Sequence, residues 1–130
     1  MKKGDSFRHL FQVTEEIHQN FIELFKDRNP LHTDRKFAVR YGFDQEVMHG
    51  NILNGFLSYW VGECLPIRNV AIHDQSIQYI HPVYRNDQLT LGVVVDDIFE
   101  SVGSIELSFQ FSNQKNTVVA KGKLQLAVLT

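Results

Sequence analysis

The sequence predicts an α+β fold, an antiparallel sheet wrapped around one long, largely buried helix. Three observations predict it. Residues 50–64 place Ile52, Leu53, Phe56, Leu57, Trp60, Val61 and Cys64 at helical spacing, a broad apolar stripe with few polar interruptions. After Pro66 the chain reads as successive strands. The clearest is 104–112, where Ile105, Leu107, Phe109 and Phe111 alternate with Ser104, Glu106, Ser108 and Gln110. The turns between these strands are short, which pairs neighbours antiparallel. One face of such a sheet is apolar and must be covered, and the long helix is the natural cover.

The elements follow in order. Residues 6–13, with Phe7, Leu10, Phe11 and Val13, form a first strand. Thr14 offers a side-chain cap to a helix whose first turn carries Glu15 and Glu16 against the positive helix end. Ile17, Phe21, Leu24 and Phe25 then mark one helical face. The helix cannot pass Pro30, and Asn29 before it is pushed towards extended geometry, so the helix ends near Asp27 and a bend begins. Thr33 or Asp34 can cap a second short helix through Phe37, Ala38 and Tyr41, with Gly42 as its stop. Residues 43–49 read as irregular, and Leu65-Pro66 ends the long helix.

Strands are expected at 70–80, 88–99, 104–112 and 117–129. Pro82 breaks the chain after the first of these, Arg85-Asn86-Asp87 turns it into the next, and 113–116 make a polar hairpin loop. In the last strand Ala120, Gly122, Leu124, Leu126 and Val128 share a face. One strand, helices, one long buried helix and four more strands make an architecture of the hotdog type.

Composition bounds the function. The 130 residues are one domain's worth, 1–130, and 43% hydrophobic with 22% charged describes an ordinary globule. A net charge of −2 gives no electrostatic footprint for nucleic acid. Cys64 is the single cysteine, so no intrachain disulfide forms, which fits a reducing compartment and a cytoplasmic location. Met1-Lys2-Lys3-Gly4-Asp5 is charged but no apolar run follows, so no signal peptide is expected. The apolar runs are far shorter than a membrane span needs.

The densest polar constellation is Asp27, Asn29 and His32 at the proline-directed bend. A carboxylate and an imidazole on one rim of a cleft are what the addition or removal of water needs, one group handling the water proton and the other the carbon-bound proton. An Asp followed by Asn-Pro is also a common way to make a turn, so spacing alone leaves both readings open. The second constellation is Met48-His49-Gly50-Asn51 at the start of the long helix. Free N–H groups there can receive a carbonyl becoming an enolate, and Gly50 lets a ligand approach closely. Equally, Gly50 eases a tight helix entry and His49 is a packed, hydrogen-bonded residue. Asn51 and Asn54 are unusual on an apolar helix; they line a ligand cavity or bond to neighbouring backbone.

His9, His18, His73 and His81 show no paired ligand spacing, so no metal site is expected. Ser58 lacks the glycines of a nucleophile elbow. No glycine-rich phosphate loop is present.

The run Phe25-Lys26-Asp27-Arg28-Asn29-Pro30-Leu31-His32-Thr33-Asp34, then Phe37-Ala38, Gly42-Phe43, His49-Gly50, Leu65-Pro66, Pro82-Val83 and Asp87-Gln88-Leu89 resembles the MaoC-like dehydratases, which include the (R)-specific enoyl-CoA hydratases, or hydratase 2. The resemblance implies a dimeric hotdog protein that interconverts trans-2-enoyl and (R)-3-hydroxyacyl thioesters of CoA or acyl carrier protein, with no cofactor. It implies that Asp27 handles water and His32 exchanges the α-carbon proton. The Gly50 N–H would hold the thioester oxygen, Asn29 would support the bend, and Ser58 would lie near substrate. Lys26, Asn51, Asn54 and Phe56 depart from the residues common in the family. The last three are expected to face the acyl tunnel, favouring a short or functionalised acyl group. Two rival readings are a hotdog thioesterase, for which Glu63 is a poor carboxylate, and a non-catalytic acyl-thioester binding protein, which has no use for an Asp–His pair.

Overall fold

Capping decides where each helix near the N-terminus begins and ends. In the computed structural model, which describes residues 1–130, strand β1 (Ser6–Gln12) leads into helix α1 (Glu15–Phe25). The Thr14 hydroxyl accepts from the Ile17 N–H at 3.1 Å, as its position predicts. Lys26 then adopts the left-handed conformation, φ 62°, and its N–H closes on the Ile22 carbonyl at 2.8 Å. The helix therefore ends at Phe25, two residues before the end near Asp27 that Pro30 suggests, and Asp27 sits in the loop beyond it.

The short helix expected from a Thr33 or Asp34 cap is α3 (Arg35–Arg40), and a further one-turn helix, α2 (Pro30–Thr33), precedes it where only a bend is expected. Pro30 opens α2 at its first turn, where a missing N–H does no harm. Asn29 caps α2 through the Leu31 N–H at 2.9 Å. Asp34 ends α2 and caps α3, its carboxylate accepting from Lys36 and Phe37 at 3.0 and 3.3 Å. Two caps five residues apart, Asn29 and Asp34, set the starts of the two helices.

Helix α4 (Asn51–Tyr59) runs on into a π turn, Trp60–Cys64, and Leu65 turns extended before Pro66. Strands β2 (Val70–Tyr79), β3 (Gln88–Phe99), β4 (Ser104–Ser112) and β5 (Val118–Val128) complete the chain. The sheet order is β1-β3-β4-β5-β2, with every neighbouring pair antiparallel. Leu53 and Leu57 of α4 and Trp60 and Val61 of the π turn share one buried cluster with Leu89, Leu91, Val93 and Val95 of β3, Leu107 and Phe111 of β4, and Leu124 and Leu126 of β5. Each fully buried aliphatic side chain contributes about 1.5–3 kcal/mol of transfer free energy.

The expectation that α4 is largely buried needs correction. The sheet covers one side of it only, and Asn51, Gly55, Ser58, Tyr59, Gly62 and Glu63 are exposed along the other. The turn before β3 is as expected: Asn86 takes φ 68°, a conformation Asn tolerates. Arg85 in that turn bridges Glu15 at 2.7 Å and Glu46 at 2.8 Å, tying the start of α1 to the 43–49 segment. The hydrogen bond from Arg85 holds the Glu15 carboxyl below its ordinary range, helped by Gln19, and Glu15 in turn raises the Arg85 guanidinium. No helix is long and apolar enough to cross a membrane.

Candidate active site

Two segments are laced together at the N-terminal end of α4. In the first, the Asp27 carboxylate accepts from the Asn29 N–H at 3.2 Å and the Asn29 side chain caps α2, so Asp27, Asn29 and Leu31 form consecutive side-chain turns. Thr33 Oγ1 donates back towards the Arg28 and Asn29 carbonyls, each at 3.2 Å. The second segment crosses it: the Val47 N–H donates to the Leu31 carbonyl at 3.1 Å, and the Met48 N–H to the Val83 carbonyl at 2.8 Å. The turn reading of this motif is thus correct as far as it goes, and the turn is what brings the titratable groups together.

His32 Nδ1 lies 2.7 Å from the Val47 carbonyl. A carbonyl can only accept, so Nδ1 carries the proton and the neutral ring presents its Nε2 lone pair. The Asp27 side chain is about half exposed, with 49% of it accessible. The donor atoms of Asp27, His32 and His49 all lie within 4.8 Å of one another. The two imidazoles are stacked 3.9 Å apart at 27°, so their in-plane lone pairs run side by side, whereas a cation requires lone pairs that converge.

Asp27, His32, His49, Gly50, Asn51 and Tyr79 are among the residues lining a cleft of about 520 Å³. The Gly50 N–H, at the helix entry, donates to no protein acceptor. A Cβ at Gly50 would lie 2.8 Å from the Tyr79 ring, so the absence of a side chain is a packing requirement here. Asp27 and Asn51 also line a second space, an open apolar groove of about 630 Å³ between α1 and α4. Its walls include Ile17, Phe21, Leu24, Phe25, Ile52 and Phe56. Cleft and groove therefore meet at Asp27.

Not every predicted position comes to this place. Asn54 lines neither space; its amide donates to Asn51 Oδ1 at 2.8 Å and to the Tyr79 hydroxyl at 3.2 Å, and its carbonyl oxygen accepts from Gln75. Ser58 is exposed on α4 and lines neither space within one chain. The groove is consequently more apolar than Asn51, Asn54 and Phe56 together suggest.

His18 is the residue of the site that motif reading missed, and His49 is the packed, hydrogen-bonded residue that one reading of the Met48–Asn51 constellation expects. His18 and His49 are buried, and each donates Nε2–H to a backbone carbonyl: His18 to His32 at 2.9 Å, His49 to Asp27 at 3.0 Å. The one signal for His18 was its place beside Ile17 and Phe21 on the α1 face. Burial pushes the pKa of both imidazoles below the ordinary histidine range, against the opposing pull of those carbonyls. Both then bind fewer protons folded than unfolded just below pH 6.5. Stability is therefore full above that pH and falls as pH drops towards their lowered folded values. Thermal melts between about pH 7.5 and 5.5 show Tm falling by several degrees, and the double variant His18→Gln/His49→Gln flattens that slope. An unchanged slope in the double variant refutes the assignment.

Comparison with known proteins agrees with the motif. The MaoC-like domain model matches residues 3–119. The chain belongs to the MaoC-like family. This MaoC-like chain is 29% identical over 103 residues to the (R)-specific enoyl-CoA hydratase of Aeromonas caviae, covering 79% of this chain and 77% of that protein. It is 25% identical over 126 residues to the mitochondrial 3-hydroxyacyl-[acyl-carrier-protein] dehydratase of Arabidopsis thaliana, 95% of this chain and 75% of that one. The solved structure of the (R)-hydratase from A. caviae involved in PHA biosynthesis superimposes with a TM-score of 0.89 at 25% identity, covering 98% and 97% of the two chains. The hotdog architecture read from the alternating strands and the covering helix is the MaoC-like one.

Proposed function

We propose that this MaoC-like protein hydrates trans-2-enoyl thioesters and dehydrates (R)-3-hydroxyacyl thioesters, with Asp27 and His32 as the acid–base pair. The observation that carries the reading is convergence. A carboxylate, an imidazole with its Nε2 lone pair fixed by Val47, and an unpaired Gly50 N–H line one cleft, and that cleft opens onto an apolar groove.

In dehydration His32 Nε2 takes the proton from C2. The electron pair passes into the thioester as an enolate, whose oxygen the Gly50 N–H receives. The C3–O bond then breaks, and protonated Asp27 delivers its proton so that the hydroxyl leaves as water. Hydration is the reverse: Asp27 deprotonates water as it attacks C3, and cationic His32 returns a proton to C2. The exposed edge of Asp27 lets the pair re-equilibrate with solvent between turnovers. Donor atoms within 4.8 Å of each other suit two proton transfers on the same face of one carbon–carbon bond. The aliphatic part of the acyl group lies against Phe21, Phe25 and Phe56 in the groove. Both CoA and acyl carrier protein thioesters are within this reading.

The working unit is a homodimer. Strand β2 is a sheet edge of 10 residues with one unpaired side, and Ile72, Tyr79 and Ile80 stand exposed on or beside it. A long edge of this kind is a template for pairing with another copy.

The test is to supply crotonyl-CoA and 3-hydroxybutyryl-CoA, and then their acyl-carrier-protein counterparts, following enoyl absorbance and free thiol together. Loss of enoyl signal with no thiol, and its appearance from the hydroxyacyl substrate, is the expected result. Thiol release means a thioesterase, and binding with neither signal on any carrier means a binding protein; either outcome overturns the proposal. Light scattering on the same sample reads twice the 15.1 kDa of one chain.

A further inference from the structure

Asp27 stands in a loop and His32 in the single turn of α2, so no one long element fixes their spacing and it has to be held from outside. What holds it is a pair of buried imidazoles. His49, 4% exposed, donates Nε2–H to the Asp27 carbonyl at 3.0 Å, and His18, 3% exposed, donates Nε2–H to the His32 carbonyl at 2.9 Å. In both rings the other nitrogen, Nδ1, is buried without any partner. Leaving a buried polar atom unpaired is unfavourable, and an apolar side chain of similar size would avoid it. The arrangement makes sense if the single N–H matters more than the orphaned nitrogen opposite it. In each case that N–H goes to the main chain of one of the two residues whose geometry the reaction needs.

His49 does a second thing. Its ring stacks on the His32 imidazole at 3.9 Å, with Phe21 packed against it at 4.5 Å and His18 behind at 5.7 Å. The His32 ring is thus fixed in its plane by Val47 through Nδ1 and by His49 through its face. A neutral His49 also lets His32 become cationic beside it, which a charged ring at that distance would oppose.

We infer that His49, seconded by His18, is the positioning residue of the site: in its neutral Nε2–H form it sets the separation between the Asp27 carboxylate and the His32 imidazole. The inference rests on the hydratase reading for its kinetic readout, but its tautomer readout does not.

Three variants separate its parts. His49→Leu loses both the donor and the stack, His49→Phe keeps an aromatic face without the donor, and His49→Gln supplies an N–H donor on a flexible chain. The Leu and Phe variants are expected to lower kcat by about 10- to 100-fold with KM little moved, since displacement of a reacting group by about 1 Å has effects of that size. His49→Gln is expected to recover at least about a third of the loss on a logarithmic scale, because a hydrogen bond and not bulk is what is being replaced. A kcat within about twofold of wild type in both the Leu and Phe variants overturns the inference, as does a Gln variant no better than Phe. Circular dichroism melts accompany each variant, and where Leu unfolds the Gln–Phe comparison decides. In the unsubstituted protein, the imidazole ¹⁵N spectrum at neutral pH is expected to show His49 and His18 with Nε2 protonated and Nδ1 bare. A cationic ring or the opposite tautomer at His49 overturns the inference too. A wild-type protein without hydratase activity but with this spectrum would sink the proposed function and leave the clamp standing.

Discussion

Asp27→Asn and His32→Ala each lower kcat by about 10³-fold or more, the upper range for loss of a positioned acid or base. The two variants fail for different reasons and leave different traces. Asn at 27 keeps a side-chain oxygen for the Asn29 N–H, now at 3.2 Å, so the loop keeps its shape while losing the group that exchanges a proton with water. Its KM and Tm stay close to wild type. Ala at 32 removes the Val47 hydrogen bond and the stack on His49 as well as the base, so a loss of about 1–2 kcal/mol in stability accompanies the loss of rate. Combining the two costs little more than either alone if they act as a unit. Full activity in either single variant defeats the assignment, and a double variant whose loss is the product of the two would separate their roles.

The order of helices and strands was legible because nearly every cue was local. Thr14 and Asp34 announce caps, Asn86 announces a turn, and alternation in 104–112 announces a half-buried strand. Where the reading slipped, the deciding cue was local but weak. Lys26 in the left-handed conformation ends α1 without a glycine to signal it, and Asn29 caps a one-turn helix, α2, where the sequence reads only as a bend. The exposure of one face of α4 lay beyond any periodicity argument. A helix stripe says which residues are apolar, not how much of the cylinder one sheet can cover.

The site was half legible for the same reason. Asp27, Asn29 and His32 are near neighbours in sequence, and turn chemistry alone places them at one bend. Gly50 was found because helix entries are recognisable. His49 was legible as a packed, hydrogen-bonded residue, but its partner was not, nor was His18, because each donates to a backbone carbonyl, 22 and 14 residues away respectively. No side-chain motif encodes a bond to a main-chain oxygen. Asn54 was misplaced for the converse reason. It looked like a polar residue in an apolar tunnel, whereas Gln75 and Tyr79, on a strand far along the chain, satisfy it.

Gly122→Ala is expected to cost about 3 kcal/mol or more, lowering Tm by roughly 10 °C or more, although the change adds a single methyl group. Gly122 lies mid-strand in β5, paired with Ile77 of β2 on one side and Phe109 of β4 on the other. A Cβ there would stand 1.9 Å from the Ser76 carbonyl oxygen and 2.8 Å from the tip of the Phe109 ring. The ring could shift, but the carbonyl is main chain, so β2 would have to move away from β5 and lose ladder hydrogen bonds. Gly55→Ala is the control. It lies on the exposed face of α4 with nothing within 4 Å of the new Cβ, so helix propensity predicts a gain of about 1 kcal/mol. The consequence reaches the site, because β2 carries Tyr79 over Gly50 and Gln75 against Asn54. Gly122→Ala should therefore lose activity at temperatures below its own melt, as Tyr79 drifts from the helix entry. Equal melting temperatures for the two alanine variants would mean that β2 has slack, and that Tyr79 is not held where Gly50 requires it.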